Sequence, residues 1–113
     1  MMSVPEVIDR SHSDIVISLN DELLGGLLGG DVTQIVRLDR LDVKRNSIVT
    51  VDCDGMTLEL LILDMGGKFF KDLTIRDAYQ CGFNDLDVFK DKLKERYGCN
   101  KLTPLYWYKF KVM

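Results

Sequence analysis

Short stretches of β-branched and aliphatic residues alternate with polar residues along this chain, and a period of two is typical of strands. Such stretches predict strands at residues 14–19, 33–38, 47–53 and 56–65. Asp54-Gly55 is a strong hairpin signal between the third and fourth of these strands. We expect Gly66-Gly67 to end the fourth strand. The aromatic run at 102–113 predicts a last strand, with Pro104 near its start, where a missing N–H donor is tolerated.

A first helix is predicted between the first two strands, where leucines at positions 23, 24, 27 and 28 make one apolar stripe. Asn20 is a good N-cap for it, and Gly29 and Gly30 favour its end. These glycines do not form a phosphate-binding loop, because they follow a helix rather than open one and GxGxxG is absent. The lysine that a Walker-type loop requires is absent as well.

Two further helices are predicted in the last third of the chain. Thr74 and Asp77 have the spacing of a capping box, which predicts a short helix through residue 80. Gly82 suits the left-handed turn after that helix. We expect Asn84 to cap a longer amphipathic helix that ends at Gly98.

The order of these elements predicts an α+β fold. A chain of 113 residues is the size of one domain. A partly closed antiparallel β-barrel with about three flanking helices is the economical arrangement, because closure removes exposed strand edges. We expect residues 14–113 to form this single domain and residues 1–13 to be a flexible N-terminal segment.

Composition limits the kinds of molecule that this chain could bind and the compartment in which we expect it. The chain has 15 Lys+Arg and 18 Asp+Glu, and its net charge of -3 argues against a surface that grips duplex phosphates everywhere. Lys101, Lys109 and Lys111 could still form a local basic patch, or could protect a sheet edge. The three cysteines contain no CxxC, so we expect no metal site and a reducing, cytoplasmic location. No apolar run is long enough for a membrane span.

Candidate chemistry from the residues alone is sparse. His12 is the only histidine and lies in a polar stretch, so a Cys-His nucleophile has little support. Tyr106, Trp107 and Tyr108 could stack an unpaired base. Alternation sends Trp107 to the opposite face from its two neighbours, and one of those faces must line the core.

Three segments in order carry a resemblance to a known family. LLGGDVTQIVRL at 27–38 is similar to the motif ILxGxKTxTxR, the segment 68–98 to a short helix followed by an amphipathic helix ending in tyrosine, and TPLYWYKF at 103–110 to a last strand. From about Asp14 to Met113 the chain resembles an ASCH domain, the activating-signal-cointegrator homology branch of the PUA-like barrels. The resemblance implies a PUA-like barrel and binding of RNA or a nucleoside.

A small bacterial branch of that family hydrolyses the acetyl amide of acetylcytidine, and the resemblance implies which positions would do so. The catalytic Lys falls on Val32, the second Thr on Ile35, and the catalytic Glu near Cys81. Neither Val32 nor Ile35 can activate a nucleophile or move a proton. The resemblance is therefore to the hydrolase branch without its working residues, and we expect no catalytic residue, cofactor or metal.

What survives of the implied site is a set of ligand-binding residues: Thr33, Arg37, Tyr79 and Gln80. Arg37 offers a planar fork to a phosphate or a base edge, although an ion pair with Asp77 or Asp39 would explain it equally well.

Three functions follow from this interpretation. The leading hypothesis is a non-catalytic module that binds RNA or a nucleotide-like ligand in the cleft beside residues 29–37. The second is a protein partner, with the barrel as the scaffold of an inhibitor or adaptor. The third is an amidohydrolase that acts on a modified nucleoside through other residues.

Overall fold

The computed structural model describes residues 12–19, 24–53 and 55–113. In these ranges the elements, in chain order, are β1 (His12–Leu19), α1 (Leu24–Gly29), β2 (Gln34–Arg37), β3 (Ile48–Cys53), β4 (Met56–Phe69), a 3-10 turn (Phe70–Asp72), α2 (Ile75–Gln80), α3 (Leu86–Tyr97) and β5 (Pro104–Val112). The predicted strands and helices are confirmed there. Asn20 and most of the segment 1–13 lie outside the described residues.

The five strands form one sheet in the order β1-β3-β4-β5-β2. β1 runs parallel to β3, and the other neighbours are antiparallel. The predicted α+β class with three flanking helices is confirmed. The sheet is open, since β1 and β2 lie at its two edges and no pairing joins them in the described part of the chain.

The prediction that Gly66-Gly67 ends the fourth strand is wrong. β4 continues through both glycines to Phe69, and Gly66 lies directly opposite Trp107 of β5. A Cβ at Gly66 would lie 2.6 Å from Cζ2 of the Trp107 indole. Gly66 therefore does not form a turn. It leaves space for the large ring of Trp107, which lies across the sheet at this position.

The two later helices begin at side-chain caps. Thr74 Oγ1 accepts a hydrogen bond from the Asp77 N–H at 3.2 Å, and Asp77 Oδ2 accepts one from the Thr74 N–H at 2.9 Å, so the predicted capping box is confirmed. Asn84 was the wrong cap for α3. Asp85 takes that place, because its Oδ1 accepts from the N–H groups of the first helical turn. Gly98 ends α3 in the left-handed region, as predicted.

The core is divided between the two faces of the sheet. One cluster combines residues of β2 to β5 with α1 and the β2–β3 loop, and includes Leu27, Val32, Ile35, Val49, Val51, Leu60, Ile62, Tyr108 and Phe110. The other lies between the opposite face and the helices α2 and α3, and includes Phe70, Leu73, Ala78, Cys81, Phe89, Leu93 and Leu105. None of the described helices is long and apolar enough to cross a membrane.

Candidate ligand-binding site

The three positions that the resemblance assigns to catalysis are all buried. Val32 is 4% exposed, Ile35 6% and Cys81 6%. Val32 and Ile35 pack in the first core cluster, whereas Cys81 packs in the second. Val32 packs closely against Gly82, because a Cβ at Gly82 would lie 2.9 Å from the Val32 Cγ2 atom.

Cys81 is not an activated thiol. Burial raises the pKa of Cys81 to about 12, which outweighs the weak contact that Gln34 Nε2 makes with its Sγ at 3.8 Å. The thiolate is the reactive form of cysteine, so this side chain is a core filler.

Sequence reasoning missed a polar cluster beneath α2. Gln34 Nε2 donates to Asp77 Oδ1 at 3.1 Å, and Lys68 Nζ donates to Asp77 Oδ2 at 2.8 Å. Gln34 is 1% exposed, and its Oε1 has no hydrogen-bond partner among the described residues. We call Gln34, Lys68 and Asp77 the polar cluster. The sequence signals only the capping role of Asp77, because the three residues are far apart along the chain.

The carboxylate of Asp77 stays charged in this cluster. Burial alone would raise its pKa, but the hydrogen bonds from Lys68, the Thr74 N–H and Gln34 outweigh that effect and hold the pKa of Asp77 below its ordinary value of 3.8. Lys68 balances the negative charge, so the cluster is neutral as a unit.

The structure brings two of the four predicted ligand-binding residues together. The Thr33 N–H donates to the Gln80 carbonyl oxygen at 2.8 Å. Tyr79, in the same turn of α2, is 56% exposed. Arg37 lies at the far end of β2, about 13 Å from Thr33 at the usual rise of a strand. Thr33 and Arg37 therefore do not share one small pocket.

The guanidinium of Arg37 has a partner within the chain. Its Nε donates to Asp39 Oδ1 at 2.9 Å and its Nη2 donates to Asp39 Oδ2 at 3.3 Å, which makes a bidentate pair. This pair holds the pKa of Asp39 below its ordinary value. Of the two acids suggested by the sequence, Asp39 is the partner in the structure.

A groove opens on the other side of Thr33, between α1 and the end of β5. Its volume is about 600 Å³, and we call it the basic groove. It is lined by Leu27, Leu28, Gly29, Gly30, Val32, Thr33, Leu63, Lys109, Phe110, Lys111 and Val112. Of the predicted cleft at 29–37 it includes only positions between 29 and 33, and Arg37, Tyr79 and Gln80 do not line it.

Two lysines supply the charge of the basic groove. Lys111 is exposed and forms no ion pair with a described residue. Lys109 lies opposite Asp64 in the β4–β5 pairing, and its Nζ is 5.4 Å from the centre of the Trp107 ring. Asp64 already accepts a hydrogen bond from Arg45 Nε at 2.7 Å, which is the main cause of its lowered pKa. Arg45 and Lys109 thus place two positive charges beside the single carboxylate of Asp64. The described residues hold no group of three or more metal-ligating side chains.

Solved structures of ASCH proteins are similar to this chain in fold. The fold matches an ASCH domain of Lactobacillus crispatus with a TM-score of 0.58 and 16% identity, over 81% of this chain and 69% of that one. It matches a mutant ASCH protein of Zymomonas mobilis with a TM-score of 0.63 and 13% identity, over 91% of this chain and 69% of that one. The chain has the ASCH fold.

A third similar structure is a protein of Enterococcus faecalis, with a TM-score of 0.68 and 13% identity over 81% of this chain and 67% of that one. No protein-family model and no curated protein sequence matches the chain.

Proposed function

We propose that this ASCH-fold chain is a non-catalytic module that binds single-stranded RNA or a nucleotide-like ligand in the basic groove. The observation that carries the proposal is the groove itself, which Thr33, Lys109 and Lys111 help to line. A mostly apolar cavity with a few polar groups is the usual form of a small-ligand site.

Charge favours a single strand over a duplex. The chain carries a net charge of -3, so only a local site can attract phosphate. Two neighbouring lysines on one strand can neutralise about two phosphates, far fewer than duplex-binding proteins usually contact. The exposed apolar side chains of Leu28 and Leu63 at the same groove suit the faces of unpaired bases.

Catalysis has no support from the implied catalytic positions. Val32 and Ile35 are buried apolar side chains and Cys81 is a buried thiol of the other core cluster, so none of them supplies a group that could activate a nucleophile or move a proton. Thr33 is exposed and lines the groove, but a hydroxyl needs a neighbouring base before it can act as a nucleophile. Of the predicted ligand residues, we keep Thr33 as a contact, Gln80 as its support through the backbone, and Tyr79 and Arg37 as outer contacts of a longer strand.

The test is a titration of a labelled single-stranded RNA of about ten nucleotides, within the usual range of single-strand sites, at low salt. We expect binding that weakens as salt is added, and that weakens further in Lys111→Ala. Lys92→Ala is the matched control, because Lys92 lies on α3 and does not line the groove. Absence of binding to RNA and to free nucleotides, or equal loss in the two variants, would overturn the proposal.

The outer contact is tested separately with Arg37→Ala. If the bound strand reaches the end of β2, this variant binds more weakly than the wild type. If affinity is unchanged, the role of Arg37 is limited to its pair with Asp39.

A further inference from the structure

The indole of Trp107 lies near Lys109, a lining residue of the basic groove, in an arrangement that the core does not require. Trp107 is only partly buried, and it belongs to neither core cluster. The ring rests on Gly66, where even a Cβ would lie 2.6 Å from Cζ2 and 3.1 Å from Nε1. The indole N–H forms no hydrogen bond with a described residue.

Basic groups connect this ring to the groove. Lys109 is the direct link, because it lines the groove and its Nζ lies 5.4 Å from the ring centre. In the next row across the sheet, Asp64 of β4 lies opposite Lys109 and is itself paired with Arg45. A polyanion that follows the groove past Lys109 therefore arrives at the aromatic ring with a net positive charge beside it.

We propose that Trp107 is a base-stacking platform, and that a single strand of RNA in the basic groove places one unpaired base on its indole. This inference rests on the proposed function and adds an aromatic contact with one base of the bound strand. The ring packs against Gly66, so the entropy cost of ordering it on binding is small. Charge complementarity with Lys109 and Lys111 favours a nucleic-acid strand as the occupant.

Lys109 does not block the ring. Its ammonium is attracted to the indole face, but its flexible stem lets the group move to a phosphate when a base takes its place. The base then replaces a cation at the ring, and the lysine gains a partner of opposite charge. Both contacts form together, which couples stacking to phosphate binding.

The experiment uses the fluorescence of the wild-type chain, in which Trp107 is the one tryptophan. A single-stranded RNA of about ten nucleotides is titrated against the protein, and a matched strand of abasic sugar-phosphate units serves as the comparison. We expect the intact RNA to quench the emission of Trp107 and to protect it from an added collisional quencher. The abasic strand should bind about tenfold more weakly and leave the emission unchanged.

Variants separate the ring from the charge. Trp107→Leu should lose about tenfold in affinity for intact RNA and nothing for the abasic strand, whereas Trp107→Tyr should retain most of the affinity. Lys111→Ala should weaken both strands and still reach the same quenching at saturation. Circular dichroism of each variant confirms that it is folded.

The outcomes distinguish the two proposals. RNA binding with unchanged Trp107 emission, or equal affinity for the intact and abasic strands, overturns the stacking platform and leaves the groove as the binding site. Absence of binding by either strand overturns both. A Trp107→Leu variant that fails to fold leaves the decision to the wild-type fluorescence.

Discussion

The polar cluster and the basic groove contain similar residues in opposite settings. In the polar cluster, Lys68 and Gln34 both donate to Asp77, and the charges are satisfied inside the protein. In the basic groove, Lys111 forms no ion pair with a described residue, and Lys109 shares one acid with Arg45. The two regions differ in whether the lysine charge is already neutralised within the chain, and this difference is the reason for placing the proposed ligand site at the groove and not at the polar cluster.

Thr33 joins the two regions through its backbone. Its N–H donates to the Gln80 carbonyl of α2, and its carbonyl accepts from the Phe110 N–H of β5 at 3.0 Å. The polar cluster fixes α2 on the sheet, and α2 in turn holds Thr33 at the wall of the groove. A change in the cluster should therefore affect stability first and ligand binding second.

The largest expected effect is the loss of the carboxylate at the centre of the cluster. Asp77→Ala removes the partner of Lys68 and Gln34 and the capping box with Thr74, so we expect a loss of about 3 kcal/mol in the free energy of unfolding. Urea denaturation measures it. Asp91→Ala, an exposed acid of α3, is the control and should change stability by less than about 0.5 kcal/mol. Similar losses in the two variants would show that Asp77 contributes no more than a surface acid.

The same comparison has a pH signature. Because the pKa of Asp77 is lowered on folding, its contribution to stability is full above the ordinary value of 3.8 and is lost as the pH falls through the lower value of the folded state. Asp77→Asn should flatten that acid limb of the stability curve. An unchanged limb would contradict the hydrogen bonds assigned to the carboxylate.

The sequence alone predicts the elements well and the site only in part. The strand and helix patterns depend on residues close together in the chain, and so do the capping box at Thr74 and the helix end at Gly98. These predictions are confirmed. Gly66 was misinterpreted because its role depends on Trp107, which lies 41 positions away and is opposite it only in the folded sheet. The sequence predicts Asn84 as the cap of α3, whereas the structure has Asp85, because both residue types are good caps and spacing does not separate two neighbours.

The site shows the same limit. The motif at 27–38 directs attention to Thr33, and the structure places Thr33 in the lining of the groove. The sequence indicates that Lys109 and Lys111 could belong to a basic patch or protect a sheet edge, but nothing local shows that β5 ends beside α1. Gln34 was missed because a glutamine in a strand is usually on the wet face, and its burial depends on α2 packing above it.

A smaller effect is expected from substitution of Gly82, which packs against the groove residue Val32, and Gly98 at the end of α3 is its control. Gly82 and Gly98 both have positive φ, but only Gly82 faces a close neighbour, Val32, which lines the groove. Gly98→Ala should cost about 1 kcal/mol for the backbone alone. Gly82→Ala should cost about 2 kcal/mol, because the new methyl group also pushes Val32. Thermal unfolding of the two variants measures the difference, and equal costs would mean that Val32 yields freely.

Removal of groove charge should affect binding by a smaller amount and leave stability unchanged. Lys111→Ala is expected to weaken RNA binding about fivefold, or about 1 kcal/mol, and to reduce the slope of log affinity against log salt by about 0.7. Lys71→Ala is a matched control, because Lys71 is exposed in the 3-10 turn and lies outside the groove. A salt slope that Lys111→Ala leaves unchanged would place the bound phosphates elsewhere on the chain.

The smallest expected signal is turnover of acetylcytidine, for which we predict none. Amide hydrolysis needs a group that accepts a proton and returns it to the leaving amine. The implied catalytic positions hold two buried apolar residues and a thiol with a pKa of about 12, so they cannot supply one near neutral pH. Incubation with acetylcytidine, followed by chromatography for cytidine, is the measurement, and Thr33→Ala is the paired variant. Product that forms with the wild type and disappears in Thr33→Ala would show that an exposed hydroxyl at the groove had taken over the reaction, and the contrast between a closed cluster and an open binding groove would become one between a structural and a catalytic site.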